Sequence, residues 1–198
     1  MATGPSTFLG MPDRRPLGSS TTPSEALEAD AERLGEWFHA FAATAPNSLL
    51  LASESPDLPD ATLSLEREKR LFSRTLQLVV TTTAEGVGPP SDGTIELRAR
   101  RLRRRYDLDW APAPAPPGAV DPFVRRGLVD GARTMTNVRE LTVAWSAQPR
   151  KWRLRLATLA GSLIGASPGV SAAVPFEPED VDGLIAVLRA FAAGASGG

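Results

Sequence analysis

The chain of 198 residues has no cysteine, one histidine and one tyrosine, and its only lysines are Lys69 and Lys151. Without cysteine there can be no disulfides, no thiolate metal ligands and no thiol nucleophile, so stability has to come from packing. His39 alone, in a chain without cysteine, removes most zinc ligand sets. Gly-x-Ser-x-Gly, phosphate-loop and dinucleotide fingerprints are also missing. The longest apolar-leaning run, Leu154 to Ala166, is broken by Arg155, Thr158, Gly161, Ser162 and Gly165. It falls short of the roughly 20 residues that a membrane helix needs, so no membrane span is expected. Met1 to Ser20 includes Pro5, Pro12, Asp13, Arg14, Arg15 and Pro16 and lacks the basic, apolar and small-residue order of a secretory signal. A cytoplasmic location follows as the expectation.

What is present is a composition near globular averages, 42% hydrophobic and 23% charged, enough to bury one core. Arginine in place of lysine, with much alanine, proline and glycine, fits a GC-rich bacterial coding sequence, so arginine content alone does not imply nucleic acid. Charge is distributed unevenly. Arg98 to Arg155 holds thirteen arginines and Lys151 against five acidic residues, a net of +9; the rest holds eight basic and eighteen acidic residues, a net of −10. Such a split creates either a positive face for anions or two regions that attract each other in the fold, the second being the simpler.

Residues 1–21, rich in Gly, Pro, Ser and Thr and without an apolar period, read as a disordered tail. Thr22-Pro23-Ser24-Glu25 then forms a capping box, and Leu27, Ala31, Leu34, Phe38 and Phe41 recur at helical spacing until Pro46. Ser53 to Asp60 reads as a loop. Leu63, Leu65 and Arg67 alternate with Thr62, Ser64 and Glu66; Arg74 to Thr83 and Thr94 to Ala99 alternate likewise, on either side of a turn-rich Gly86 to Gly93. This predicts an antiparallel hairpin. Ala111 to Gly118, an Ala-Pro tract, reads as an extended linker between possible sub-lobes 22–110 and 119–193 of one domain, 22–193. Asp121-Pro122 opens a short helix with Phe123, Val124, Leu128 and Val129, and Val138 to Trp145 with Trp152 to Thr158 predicts a second hairpin. Pro178, Glu179, Asp180 and Asp182 open a C-terminal amphipathic helix carrying Val181, Leu184, Ile185, Leu188 and Phe191. The expected fold is α+β: a mainly antiparallel sheet with an N-terminal, a short central and a C-terminal helix.

The densest candidate site is Arg98, Arg100, Arg101, Arg103, Arg104 and Arg105 with Tyr106 and Trp110. Guanidinium forks pair bidentately with phosphates and aromatic rings stack on bases, so this segment suits nucleic acid or another polyanion. The alternatives are contact with a partner protein and pairing with acidic elements of the same chain. Strand and helix readings of residues 94–110 stay open, and they distribute the arginines differently. Asp107-Leu108-Asp109 has a spacing that can hold a divalent cation, though charge compensation after six arginines is simpler. His39 reads as a packing residue of the first helix, and Glu177, Glu179, Asp180 and Asp182 as first-turn acids favoured by the helix dipole. The Gly161/Gly165 spacing and the Pro114 to Pro117 motif carry little weight outside a long apolar helix and outside a linker. Trp145 and Trp152 flank the second hairpin turn, where cross-strand packing is expected.

These readings lead to a non-enzymatic binding or accessory protein whose sheet and arginine-rich segment face another protein, within a larger assembly, with no cofactor. Nucleic-acid binding through residues 98–105 is the alternative, and an enzyme of unfamiliar type the second.

Overall fold

The structure is a computed structural model that describes residues 22–67, 74–102, 105–111, 123, 126–135, 138–167 and 170–197. At 74, 95–102, 105–111, 166–167 and 170–171 only the backbone is described. The tail 1–21 and most of the Ala-Pro tract lie outside these residues.

The elements run α1 (Pro23–Arg33), β1 (Ala40–Ala45), β2 (Ser48–Ala52), β3 (Ala61–Arg67), β4 (Arg74–Glu85), β5 (Gly93–Leu102), β6 (Arg105–Ala111), α2 (Leu128–Thr134), β7 (Val138–Ser146), β8 (Lys151–Ser167), β9 (Val170–Ala173) and α3 (Pro178–Ala195). The fold is α+β, with N-terminal, central and C-terminal helices on a large antiparallel sheet. Its strand order is β1-β2-β3-β4-β8-β7-β5-β6, with β9 also paired to β8. Since β4 follows one edge of β8 along most of its length, β7 and β9 share the other.

Register explains the two faces. Leu63, Val80, Leu156 and Leu141 lie directly across from one another on β3, β4, β8 and β7, as do Ala61, Thr82, Leu154 and Val143. All of these are buried. The apolar ones join one core with Leu27, Ala31 and Leu34 of α1, Leu128 of α2 and Leu184, Leu188 and Phe191 of α3. The three described helices therefore cover the same face, at roughly 2 kcal/mol for each leucine taken from water. At one end Phe123 lies edge-on to Trp152 of β8 at 4.8 Å and stacked on Phe191 of α3 at 5.9 Å between centroids. A Cβ added at Gly183 of α3 would run into Met135, the C-cap of α2, and stand 2.9 Å from Gly131 O of α2, so the two helices pack too closely there for a side chain.

The capping box at Thr22 is formed, Glu25 N–H donating to Thr22 Oγ1 and Thr22 N–H to Glu25 Oε2. The helical spacing holds through Phe38, whose N–H still donates to Leu34 O and which is buried. Beyond it the chain departs from the expected helix: Ala40–Ala45 is a strand, turned at Pro46-Asn47 onto β2. Ladder bonds with β2 override alanine's helix preference here. His39 consequently sits outside α1, exposed, with its backbone N–H on Ala52 O.

A second departure concerns the first hairpin. β4 and β5 do not pair; β8 and β7 lie between them. The connection Gly86 to Asp92 is a strap across the sheet end, fastened by Trp145 Nε1–H to Pro89 O (2.8 Å) and Trp152 Nε1–H to Val87 O (3.1 Å). The β7–β8 hairpin forms as expected, with Trp145 across from Trp152. Leu128–Thr134 of the expected central segment is helical, preceded by Gly127 in the left-handed region; Phe123 is helical too, whereas the expected opening at Asp121-Pro122 lies outside the described residues. The segment after Thr158, read as broken by glycines, continues as strand. Leu76 pairs with Leu163 and Leu78 with Thr158, so Gln77 faces four residues of β8. Gly161 makes this bulge possible with φ +75°. Ser162 closes it: its Oγ accepts the Leu78 N–H at 2.9 Å and donates to Thr158 O at 2.8 Å. No described helix is long and apolar enough to cross a membrane.

Candidate functional site

Residues 94–102 and 105–111 are strand, which settles the strand-or-helix alternative for the described part of the arginine-rich segment. In the β5–β6 register Arg98 lies opposite Asp109, Arg100 opposite Asp107, Arg101 opposite Tyr106, Leu97 opposite Trp110 and Leu102 opposite Arg105. On its other edge Arg98 faces Glu140 of β7. Two of the six arginines thus stand directly across from acidic positions, the arrangement that stabilises antiparallel pairs. The Asp-x-Asp pair is used in the same register. Arg103 and Arg104 lie outside the described residues.

The sheet face away from the helices has a different character. Register aligns Leu50, Thr62, Thr81, Arg155 and Thr142 in one row and Thr83, Arg153 and Ala144 in the next. Arg155 donates to Glu66 Oε2 at 2.9 Å and to Glu140 Oε1 at 2.6 Å, joining β3, β8 and β7 across β4. Burial works against its charge, but the two carboxylates hold its pKa above the ordinary value. Val79 and Ala157 lie between Arg155 and Glu66 in the register and are buried, outside the core that the described helices cover; the long arginine stem is suited to shielding them. Beside this triad Leu50, Asp60, Thr62, Thr81, Thr83 and Arg153 line a depression of about 340 Å³. Asp60 Oδ1 accepts the Ser53 N–H, and its carbonyl accepts Thr82 Oγ1–H. Arg153 is exposed and has no ion-pair partner among the described residues.

On the helix side, Asp30 is buried in α1. Its Oδ1 accepts from Arg33 Nη1 at 3.2 Å, and a Cβ on Gly161 would stand 2.5 Å from its Oδ2. Burial pushes its carboxyl up to about 7, against the pull of the Arg33 charge and hydrogen bond. A cavity of about 360 Å³ opens between α1 and α3, with Trp37, Phe176 and Val181 among its walls and Arg33, Glu36 and Asp182 beside them. Arg189 lies over the Trp37 ring, 4.9 Å from its centroid, and ion-pairs with Asp57 at 2.9 Å. Glu177 and Asp180 form the capping box of α3. His39 lines neither cavity. Among the described residues no group of three or more His, Asp or Glu is placed to hold a metal ion.

The sequence reading picked out the arginine run, and the structure brings two of its members opposite acids. It did not pick out Asp30, whose position looks like any polar helix residue, or the Glu66–Arg155–Glu140 triad. The alternation of β3, β7 and β8 puts these three on the solvent side, but only strand order brings them together. Compared with known protein families, with curated proteins and with solved structures, the chain matches none.

Proposed function

We propose that the chain is a non-enzymatic accessory protein of the cytoplasm that presents the helix-free face of its sheet, with the adjoining arginine-rich hairpin, to another protein. The observation that carries the reading is the segregation of the three described helices to one side. It leaves a broad face of threonines, a charge triad and Arg153, which has no ion-pair partner among the described residues, uncovered by any described element. A sheet face with no layer over it is a ready platform for a second protein layer. The triad gives it a fixed charge pattern, which favours selective over indiscriminate contact. The opposition of Arg98 and Arg100 to acidic positions weighs against the whole arginine run serving as a polyanion clamp.

The test is affinity capture from lysate of the source cell, with and without nuclease, using three baits. These are the native chain, Thr83→Glu with Arg153→Glu on the open face, and glutamine at all six arginines from Arg98 to Arg105. The expected result is a protein that survives nuclease and is lost with the open-face pair. Nuclease-sensitive recovery that requires the six arginines would instead establish polyanion binding.

A further inference from the structure

One edge of the sheet differs from the other. β6 carries Arg105, Asp107 and Asp109, charges that oppose strand-to-strand association. β1, at the opposite end, reads Ala-Phe-Ala-Ala-Thr-Ala and has no charge. The uncharged region is wide: seventeen residues from Trp37 to Ser53 contain no Asp, Glu, Lys or Arg, in a chain that is 23% charged. Every residue of β1 is exposed, and Phe41, 42% exposed, is one of three large apolar side chains in that class among the described residues. Only β2 pairs with β1, so its outer edge of backbone N–H and C=O groups has no strand partner among the described residues.

We infer that β1 pairs antiparallel with β1 of a second copy, joining two sheets across a two-fold axis. Charge points to this occupant. A strand placed against itself about a two-fold axis meets its own charges, so a strand bearing lysine or glutamate opposes like charges there, whereas β1 meets only alanine, threonine and phenylalanine. The chain as a whole carries a net charge of −1, so two copies approach without appreciable repulsion. β1 also lacks the charged groups by which an unlike partner would be selected. Facing residues share a sheet face, and Phe41 and Ala43 lie opposite the core residues Leu51 and Leu49 of β2. A two-fold axis normal to the sheet at Ala42 therefore keeps the helix layers of both copies on one side and sets Phe41 of each copy against Ala43 of the other. The inference concerns the sheet edge and is independent of any partner on the open face.

Sedimentation equilibrium of the full chain, from about 1 μM to about 100 μM, tests it. The native chain is expected to move from monomer toward twice the monomer mass. Phe41→Lys with Ala43→Lys is expected to weaken association at least about tenfold with an unchanged circular dichroism spectrum. A native chain that stays monomeric throughout, or a double variant that dimerises as well as the native chain, overturns the inference. The absence of cysteine gives a second measurement that does not depend on the lysine variant folding. Ala42→Cys is expected to form a covalent dimer on mild oxidation, because position 42 faces itself across the axis within disulfide reach, whereas Ala43→Cys, which faces Phe41, and Thr83→Cys on the open face are not. Failure of Ala42→Cys to cross-link also overturns it.

Discussion

Replacing Asp30 with asparagine should stabilise the protein above neutral pH and change little in mild acid. The Asp30 side chain is 6% exposed, and Arg33, which pairs with it, is 47% exposed and so spends part of its charge on water. Burial raises the carboxyl from 3.8 to about 7 despite Arg33. The folded protein therefore holds this proton more tightly than the unfolded chain does. The resulting stability is fully present below about pH 4 and is lost as pH rises through about 7. The span from 3.8 to about 7, at about 1.4 kcal/mol per pH unit, corresponds to roughly 4 kcal/mol. Asparagine keeps an oxygen for Arg33 and does not ionise. Urea unfolding of both chains at about pH 4 should give nearly equal stabilities, and at about pH 8.5 the variant should be ahead by roughly 2–4 kcal/mol. A variant less stable than the native chain at the higher pH would show that the ion pair outweighs the burial of the charge, and would refute the reasoning.

Three further outcomes follow from the bulge and the open face. Gly161→Ala forces a side chain onto a residue at φ +75° and into Asp30 Oδ2 and Leu78 Cδ2; a loss of about 3 kcal/mol in urea unfolding is expected, and a loss below about 1 would contradict the geometry. Ser162→Ala leaves the Leu78 N–H without its buried acceptor, which should cost about 2 kcal/mol and speed hydrogen exchange at Leu78 above that of its neighbours on β4. Arg155→Met keeps most of the stem over Val79 but leaves Glu66 and Glu140 without their shared cation; a loss of about 1 kcal/mol that shrinks as salt is raised is expected, and a salt-independent loss would place the effect in packing.

Legibility in the sequence tracked the range of the interactions. Both long helices announce themselves through residues three or four apart: the Thr22–Glu25 box and the Leu27/Ala31/Leu34 stripe, then Pro178 with its acids and the Val181 to Phe191 stripe. The β7–β8 hairpin is similarly local, its alternation closing on a short turn between two tryptophans. β1 was not legible, because a run of alanines favours helix until β2 supplies its ladder bonds. Nor could the sequence show that β4 passes over its apparent partner β5 to pair with β8, some seventy residues later in the chain. The strap 86–92 that carries the chain from β4 to β5 is fastened by two indoles that belong to β7 and β8, far away in sequence. The candidate site divides in the same way. The arginine run is visible at once, whereas a triad built from positions 66, 140 and 155 exists only once three strands are in order.

The claim that the helix-free face receives another protein is tested most directly by photo-cross-linking in the source cell. A photoreactive residue is placed at Thr83 on that face and, in a separate chain, at the exposed Asp182 of α3. A discrete protein adduct from position 83 and none from 182 is the predicted result. Adducts confined to 182, or adducts from 83 that consist of nucleic acid alone, would contradict it.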